Sequence, residues 1–294
     1  VERNCSETPH FFPISRLFAP PVTRRFRLGS CGVWAMQIAF VSLFSSGFAS
    51  LATDIERLEI VATASGSYLY SGTGINGGLL VWRLGSGATP AVIDFEYFTT
   101  AMRTMGALGF EWFTLGGQLR TVVGATQGGD LLSYAIGSDG RVAGLVGTDL
   151  DAVSSSGLQT GVVATTLANG TEVMFLADAE TGATVAYRPL VAGGMSLIGA
   201  TAAPGGVPAL GPVLLEAVTV AGTQLLLRAD SALQGVASYR ISETGVLSAV
   251  TTLGADNGMG INTPTAMVTV SAYGSTFVVL GAAESGSLSV MQLT

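Results

Sequence analysis

Lysine is missing from all 294 residues, and histidine occurs once, at His10. Both cysteines, Cys5 and Cys31, also fall within the first 35 residues. Residues 36–294 therefore offer no His, Cys or Lys. That excludes a Ser–His–Asp triad, a Cys–His pair and a Schiff-base lysine there. It also excludes a His- or Cys-based zinc site and a phosphate-binding loop that depends on lysine. Charge is scarce as well, at 11% of residues with a net of −7. Residues 36–294 hold eight Arg against eighteen Asp and Glu, a balance of −10. A nucleic-acid binder usually needs a basic stripe, so that class is set aside. A membrane helix needs about 18 uncharged apolar residues in a row. Only Trp34 to Thr53 approaches this, and it is rich in Ser and Gly, so no stable membrane span is expected. The cysteines lie outside the expected folded body and carry no information on redox compartment.

What is present is glycine, 40 residues of it, in a chain of mean hydropathy +0.53. A soluble chain this apolar needs sheets covered on both faces, which stacked propeller blades provide. The glycines also carry a repeat. Gly66, Gly117, Gly170, Gly222 and Gly274 are spaced by 51, 53, 52 and 52 residues. Downstream of each lies a short strand-like segment whose large central residue is Trp82, Tyr134, Tyr187, Tyr239 or Met291, at spacings of 52, 53, 52 and 52. Two independent marks with one period identify a repeat architecture.

Each unit reads as four strands. An apolar strand, such as Ala266–Ala272, precedes the phased glycine, which suits a turn requiring positive φ. A second strand, such as Gln118–Ala125, leads through small residues to the strand with the aromatic. A third turn holds Gly140, Gly193 or Gly245, with Ala88 at that place in the first unit. A fourth strand follows, then a longer link. Three tight turns and one long link describe an antiparallel meander, with the link carrying the chain from the outer edge of one blade to the inner edge of the next. The expected fold is all-β: a five-bladed propeller over 36–294, with residues 1–35 as an extension. Strand one would line the central channel. The segment Gln37–Phe44 (QIAFVSLF) is expected to supply the fourth strand of the last blade and close the ring, removing exposed edges. A rival reading takes Arg24–Arg27, the apolar run from Val33 and the small residues before Ala52 as a secretory signal ending near Ala52.

Candidate chemistry rests on carboxylates. Glu59, Glu111 and Glu216 fall on strand one, six or seven residues before the phased glycine. At a channel rim they could ligate Ca²⁺ through oxygen, or act as acid and base on a sugar or lactone. The plainer reading has them solvated or paired with Arg57, Arg120 and Arg228. Asp149, Asp151 and Asp256 lie in links where ligands dock on propellers. Gly72–Gly77 matches GxGxxG, but a strand rather than a helix follows it, so it reads as a hairpin. Asn169-Gly170-Thr171 fits a glycosylation sequon, but Asn-Gly is also a favoured hairpin turn.

The strands at Gly78–Leu84, Gly129–Ile136 and Gly286–Leu293 approach the pattern G-x-L-x-V-aromatic-x-Leu/Ile, counted from Gly77 in the first, with Ser133 in the valine place of the second and Met291 in the aromatic place of the third. This resembles the N-terminal propeller segments of bacterial secreted, RTX-type calcium-binding proteins. The glycine- and aspartate-rich calcium repeats of that family are absent, so its calcium binding does not transfer. The resemblance implies an extracellular or periplasmic location. A more distant similarity is to lactonase-type and WD-type propellers, although the WD dipeptide and its histidine are missing. The resulting expectation is a non-enzymatic binding scaffold presenting one face to a protein or glycan. The alternatives are a metal-assisted hydrolase or lactonase with channel carboxylates, and the propeller part of a secreted calcium-binding protein.

Overall fold

In the computed structural model the described residues are 47–48, 51, 55–73, 77–85, 89–98, 107–125, 131–147, 159–178, 181–206 and 213–294. All lie in one compact unit spanning 45–294. They form nineteen strands in five sheets, and the strands of each sheet pair in chain order. Blade 1 comprises β1 (Ile55–Thr63), β2 (Gly66–Thr73), β3 (Gly78–Leu84) and β4 (Ala91–Tyr97). Blade 2 comprises β5 (Ala107–Leu115), β6 (Gln118–Ala125), β7 (Leu131–Ile136) and β8 (Val142–Gly147). Blade 3 holds β9 (Gln159–Thr166), β10 (Glu172–Asp178), β11 (Thr184–Pro189) and β12 (Met195–Thr201). Blade 4 holds β13 (Val213–Val220), β14 (Thr223–Asp230), β15 (Gly235–Ile241) and β16 (Leu247–Leu253). Blade 5 has β17 (Pro264–Ala272), β18 (Ser275–Ala282) and β19 (Ser287–Leu293). This is the five-bladed β-propeller that the 52-residue period predicts. The expected closing strand Gln37–Phe44, the signal reading, Ala88, Asp149 and Asp151 lie outside the described residues.

The repeat marks have physical causes. All five phased glycines take positive φ, from +75° to +147°, where a Cβ would be strained. In blades 2, 4 and 5 the glycine is the second residue of a two-residue hairpin whose first residue, Gly116, Ala221 or Tyr273, also has positive φ. That is the type I′ geometry that matches strand twist. The third turns instead use four residues, with Gly140, Gly193 and Gly245 donating back to Gly137, Leu190 and Ser242. Trp82, Tyr134, Tyr187 and Tyr239 are each at most 5% exposed. In all four complete blades a β-bulge falls immediately before this aromatic, in its pairing with strand four. The added twist of a bulge suits an outer strand.

The core consists of the junctions between blades. Tyr68, Tyr70 and Val81 of blade 1 meet Ile136, and Leu79 and Phe98 meet Val123, Leu132 and Tyr134 of blade 2. Phe113 and Val122 meet Met174, Leu176, Val185 and Tyr187 at the next junction. Phe175 and Ala186 meet Leu226, Ala237 and Tyr239, and Leu227 and Ala229 meet Val278 and Leu280. The first strands face one another across neighbouring blades, β5 with β9, β9 with β13, and β13 with β17. Strand one is thus innermost, as expected.

Candidate functional site

A D-x-E pattern on an outer strand supplies the most suggestive titratable pair. On β4 the sequence Ile93-Asp94-Phe95-Glu96-Tyr97 alternates, so Asp94 and Glu96 share one face of the strand. Asp94 stands opposite Val81 and Glu96 opposite Leu79. Both partners are fully buried in the junction with blade 2, so the two carboxylates border that junction, and both are half-buried. Phe95 and Tyr97 point to the other face, where Phe95 meets Phe48 with ring centroids 4.7 Å apart.

The third turn of blade 2 fixes Asp94. The Val142 backbone N–H donates to Asp94 Oδ2 at 2.8 Å, and Arg141 Nη1 donates to the Ile93 carbonyl. Arg141 also pairs loosely with Asp139, 3.5 Å away. Tyr70 donates to the Gly140 carbonyl at 2.6 Å, tying the same turn to blade 1. Glu96 is held above the ordinary carboxylate value of 4.5, first by burial and then by the negative charge of Asp94. The Tyr134 hydroxyl is pushed well above its usual value by burial and by Glu96, so it stays a neutral phenol. The pair thus combines a carboxyl biased toward its protonated form with a carboxylate anchored through one oxygen. A carboxyl biased toward its protonated form beside a second, anchored carboxyl is an arrangement that can divide acid and base roles.

The three sequence-derived carboxylates sit elsewhere. Glu59 is exposed on β1, opposite Tyr70. Glu111 lies opposite Val122 and its Oε2 accepts from the Trp112 backbone N–H at 3.2 Å. Glu216 lies opposite Leu227 and its Oε1 accepts from Thr269 Oγ1 of the next blade at 3.1 Å. Each therefore borders a different blade junction. Among the described residues, no group of three His, Cys, Asp or Glu side chains could hold a metal ion. The arginines named as possible partners are used differently. Arg120 donates to the Leu190 and Val191 carbonyls at 3.1 and 2.7 Å, bridging blades 2 and 3. Arg228 is buried and pairs with Asp230 at 2.8 Å. The side chain of Arg57 lies outside the described residues. Gly72 and Thr73 end β2, and Gly77 directly precedes β3, which agrees with a hairpin there. Asn169 accepts the Thr171 N–H and donates to the Glu243 carbonyl, as a turn residue does. Among the described residues no helix is long and apolar enough to cross a membrane.

No family model matches the chain, and no curated protein matches it. Solved structures do. An exo-β-1,3-galactanase from Phanerochaete chrysosporium, in complex with galactose, aligns at 16% identity over 63% of this chain and 46% of its own, with a TM-score of 0.44. A GH43_1 enzyme from Xanthomonas citri aligns at 9% identity over 82% of this chain and 87% of its own, with a TM-score of 0.44. A putative 6-phosphogluconolactonase from Bacteroides uniformis aligns at 14% over 79% and 69%, with a TM-score of 0.47. The chain spans about half the length of the galactanase. At these identities the likeness is one of fold. These matches correct two expectations. The three propellers just described are by name enzymes or a putative enzyme, which stands against the reading as a non-enzymatic binding scaffold. They are also not RTX-type calcium-binding proteins, so that resemblance reduces to the propeller fold.

Proposed function

We propose that this propeller is a carboxylate-dependent hydrolase acting on a neutral, hydroxyl-rich substrate of the saccharide or lactone class. The observation that carries the reading is the Asp94–Glu96 pair on one face of β4, with Glu96 biased toward its protonated form and Asp94 anchored by the Val142 N–H. Residues 36–294 lack His, Cys and Lys, so proton transfer there falls to carboxyl groups. The excess of acids over arginines argues against a phosphorylated or polyanionic substrate. For a glycoside, Glu96 gives its proton to the leaving oxygen as the anomeric C–O bond breaks. Asp94 takes a proton from the water whose oxygen forms the new bond, and proton exchange with solvent restores the pair.

The test is turnover of a panel of aryl glycosides, neutral β-linked oligosaccharides and a sugar lactone by the full chain. Glu96→Gln and Asp94→Asn should each lower kcat by about 10²–10⁴-fold, the usual share of general acid–base catalysis. Glu59→Gln, on an exposed site, should leave it unchanged. Turnover that survives Glu96→Gln intact would sink this assignment. So would a wild-type chain inert toward the whole panel.

A further inference from the structure

An Asn-Gly pair is a chemical weak point, because glycine has no Cβ to shield its backbone nitrogen from the asparagine side chain before it. The chain has three such pairs, Asn76-Gly77, Asn169-Gly170 and Asn257-Gly258. Asn76 lies outside the described residues. The other two pairs are exposed, yet they are held differently.

Asn169 is tied at both ends of its carboxamide. Its Oδ1 accepts the Thr171 N–H at 2.9 Å, and its Nδ2 donates to the Glu243 carbonyl of blade 4 at 2.9 Å. The Gly170 N–H donates to the Leu167 carbonyl at 2.8 Å. Releasing this side chain therefore breaks a bond between two blades as well as the hairpin from β9 to β10. Asn257 ends the single 3-10 turn Ala255–Asn257, in the link from β16 to β17. Its Oδ1 accepts the Gly254 N–H at 3.2 Å, and its Nδ2 has no hydrogen-bond partner among the described residues. The Gly258 N–H donates to the Ala255 carbonyl at 2.9 Å, within the same turn. Every bond that must open at Asn257 thus lies inside the link. Opening a short exposed link costs less than opening a junction between blades.

We propose that Asn257 is a site of spontaneous deamidation through a cyclic imide, and that its bridge to blade 4 protects Asn169 from the same reaction. The Gly258 backbone nitrogen loses its proton to solvent base and attacks Asn257 Cγ. The new N–Cγ bond closes the imide ring as the Cγ–Nδ2 bond breaks, and Nδ2 takes up a proton and leaves as ammonia. Water then adds to either imide carbonyl and opens the ring, to aspartate or to isoaspartate. No oxidant or reductant takes part. Each product adds a negative charge beside Asp256. Aspartate keeps an acceptor for the Gly254 N–H, so the turn survives. Isoaspartate carries an extra methylene in the main chain and does not fit the turn. It would loosen the link where the Ile261 N–H donates to the Gln234 carbonyl at 3.3 Å.

The test incubates the full chain in mildly alkaline buffer and maps its peptides by mass. The amide-to-acid mass gain should accumulate about tenfold faster at Asn257 than at Asn169, the ratio that a modest difference in local opening produces. Hydroxylamine, which cleaves cyclic imides, should cut after Asn257 first. In urea strong enough to unfold the chain, the two sites should react at similar rates, because the fold no longer distinguishes them. Equal rates in the folded chain, or a faster gain at Asn169, would overturn the proposal. So would an Asn257 peptide that stays unchanged over an interval in which the urea-unfolded chain has reacted.

Discussion

Glu96 makes folding depend on pH in a direction the structure fixes. Its carboxyl is raised above 4.5 by burial first and by Asp94 second, so the folded state prefers the protonated form. The stability this gives is fully present below the unfolded value and is lost as pH rises through the folded one. Glutamine keeps the shape without the charge. Glu96→Gln should therefore melt higher than the wild type at pH 7 to 8, and the gap should close below about pH 4.5, where an unperturbed Glu is protonated. Thermal melts across that range check it, and a gap that persists at pH 4 would mean that packing rather than ionisation sets the difference. The pair was legible in the sequence, because IDFEY alternates with period two and so puts Asp94 and Glu96 on one face. What hid it was the assumption that function sits on the channel-lining strand. Nothing in the spacing of Glu59, Glu111 and Glu216 shows that each borders a separate junction, because that depends on which flank of an innermost strand faces the next blade.

Elements follow the sequence more faithfully than sites do. The phased glycines forecast the β1–β2 type of turn because positive φ is a local requirement, and all five show it. The bulge before each aromatic was not legible, since it arises from the pairing of two strands and neither strand carries a signature for it. Two of the turns also hold a non-glycine residue where φ is positive, Ala221 at +47° and Tyr273 at +53°. Neither side chain is well suited to that region, whereas Asn tolerates it and Asn-Gly is the preferred type I′ pair. Tyr273 is wholly exposed and gives up no packing. Ala221→Asn and Tyr273→Asn should each stabilise by about 0.5–1 kcal/mol, seen as a higher urea midpoint with an unchanged slope. A lower midpoint would show that these residues make contacts in the turn that outweigh backbone strain.

Across the whole molecule, stability resides in the surfaces between blades, so the telling residues are those that bridge two blades. Arg228 of β14 is fully buried. Its Nε donates to Asp230 Oδ2 at 2.8 Å, and its Nη1 donates to Thr184 Oγ1 at 3.0 Å and to the Gly182 carbonyl of blade 3. Asp230 uses its other oxygen to accept the Leu233 N–H at 2.7 Å, so the pair joins two blades and a turn. Removing one partner leaves the other charge uncompensated in the interior, which costs more than the pair contributes by existing. Arg228→Ala should destabilise by about 3–5 kcal/mol. Replacing both charges at once, as Arg228→Met with Asp230→Leu, should cost markedly less than that single change, because no orphaned charge remains, even though the Leu233 N–H loses its acceptor. A double-mutant cycle by denaturant unfolding measures the difference. If the costs of the single changes simply add, the two side chains are not coupled, and the junction between blades 3 and 4 is held without them, by apolar packing around Phe175, Leu226 and Tyr239 and by hydrogen bonds such as Asn169 to the Glu243 carbonyl.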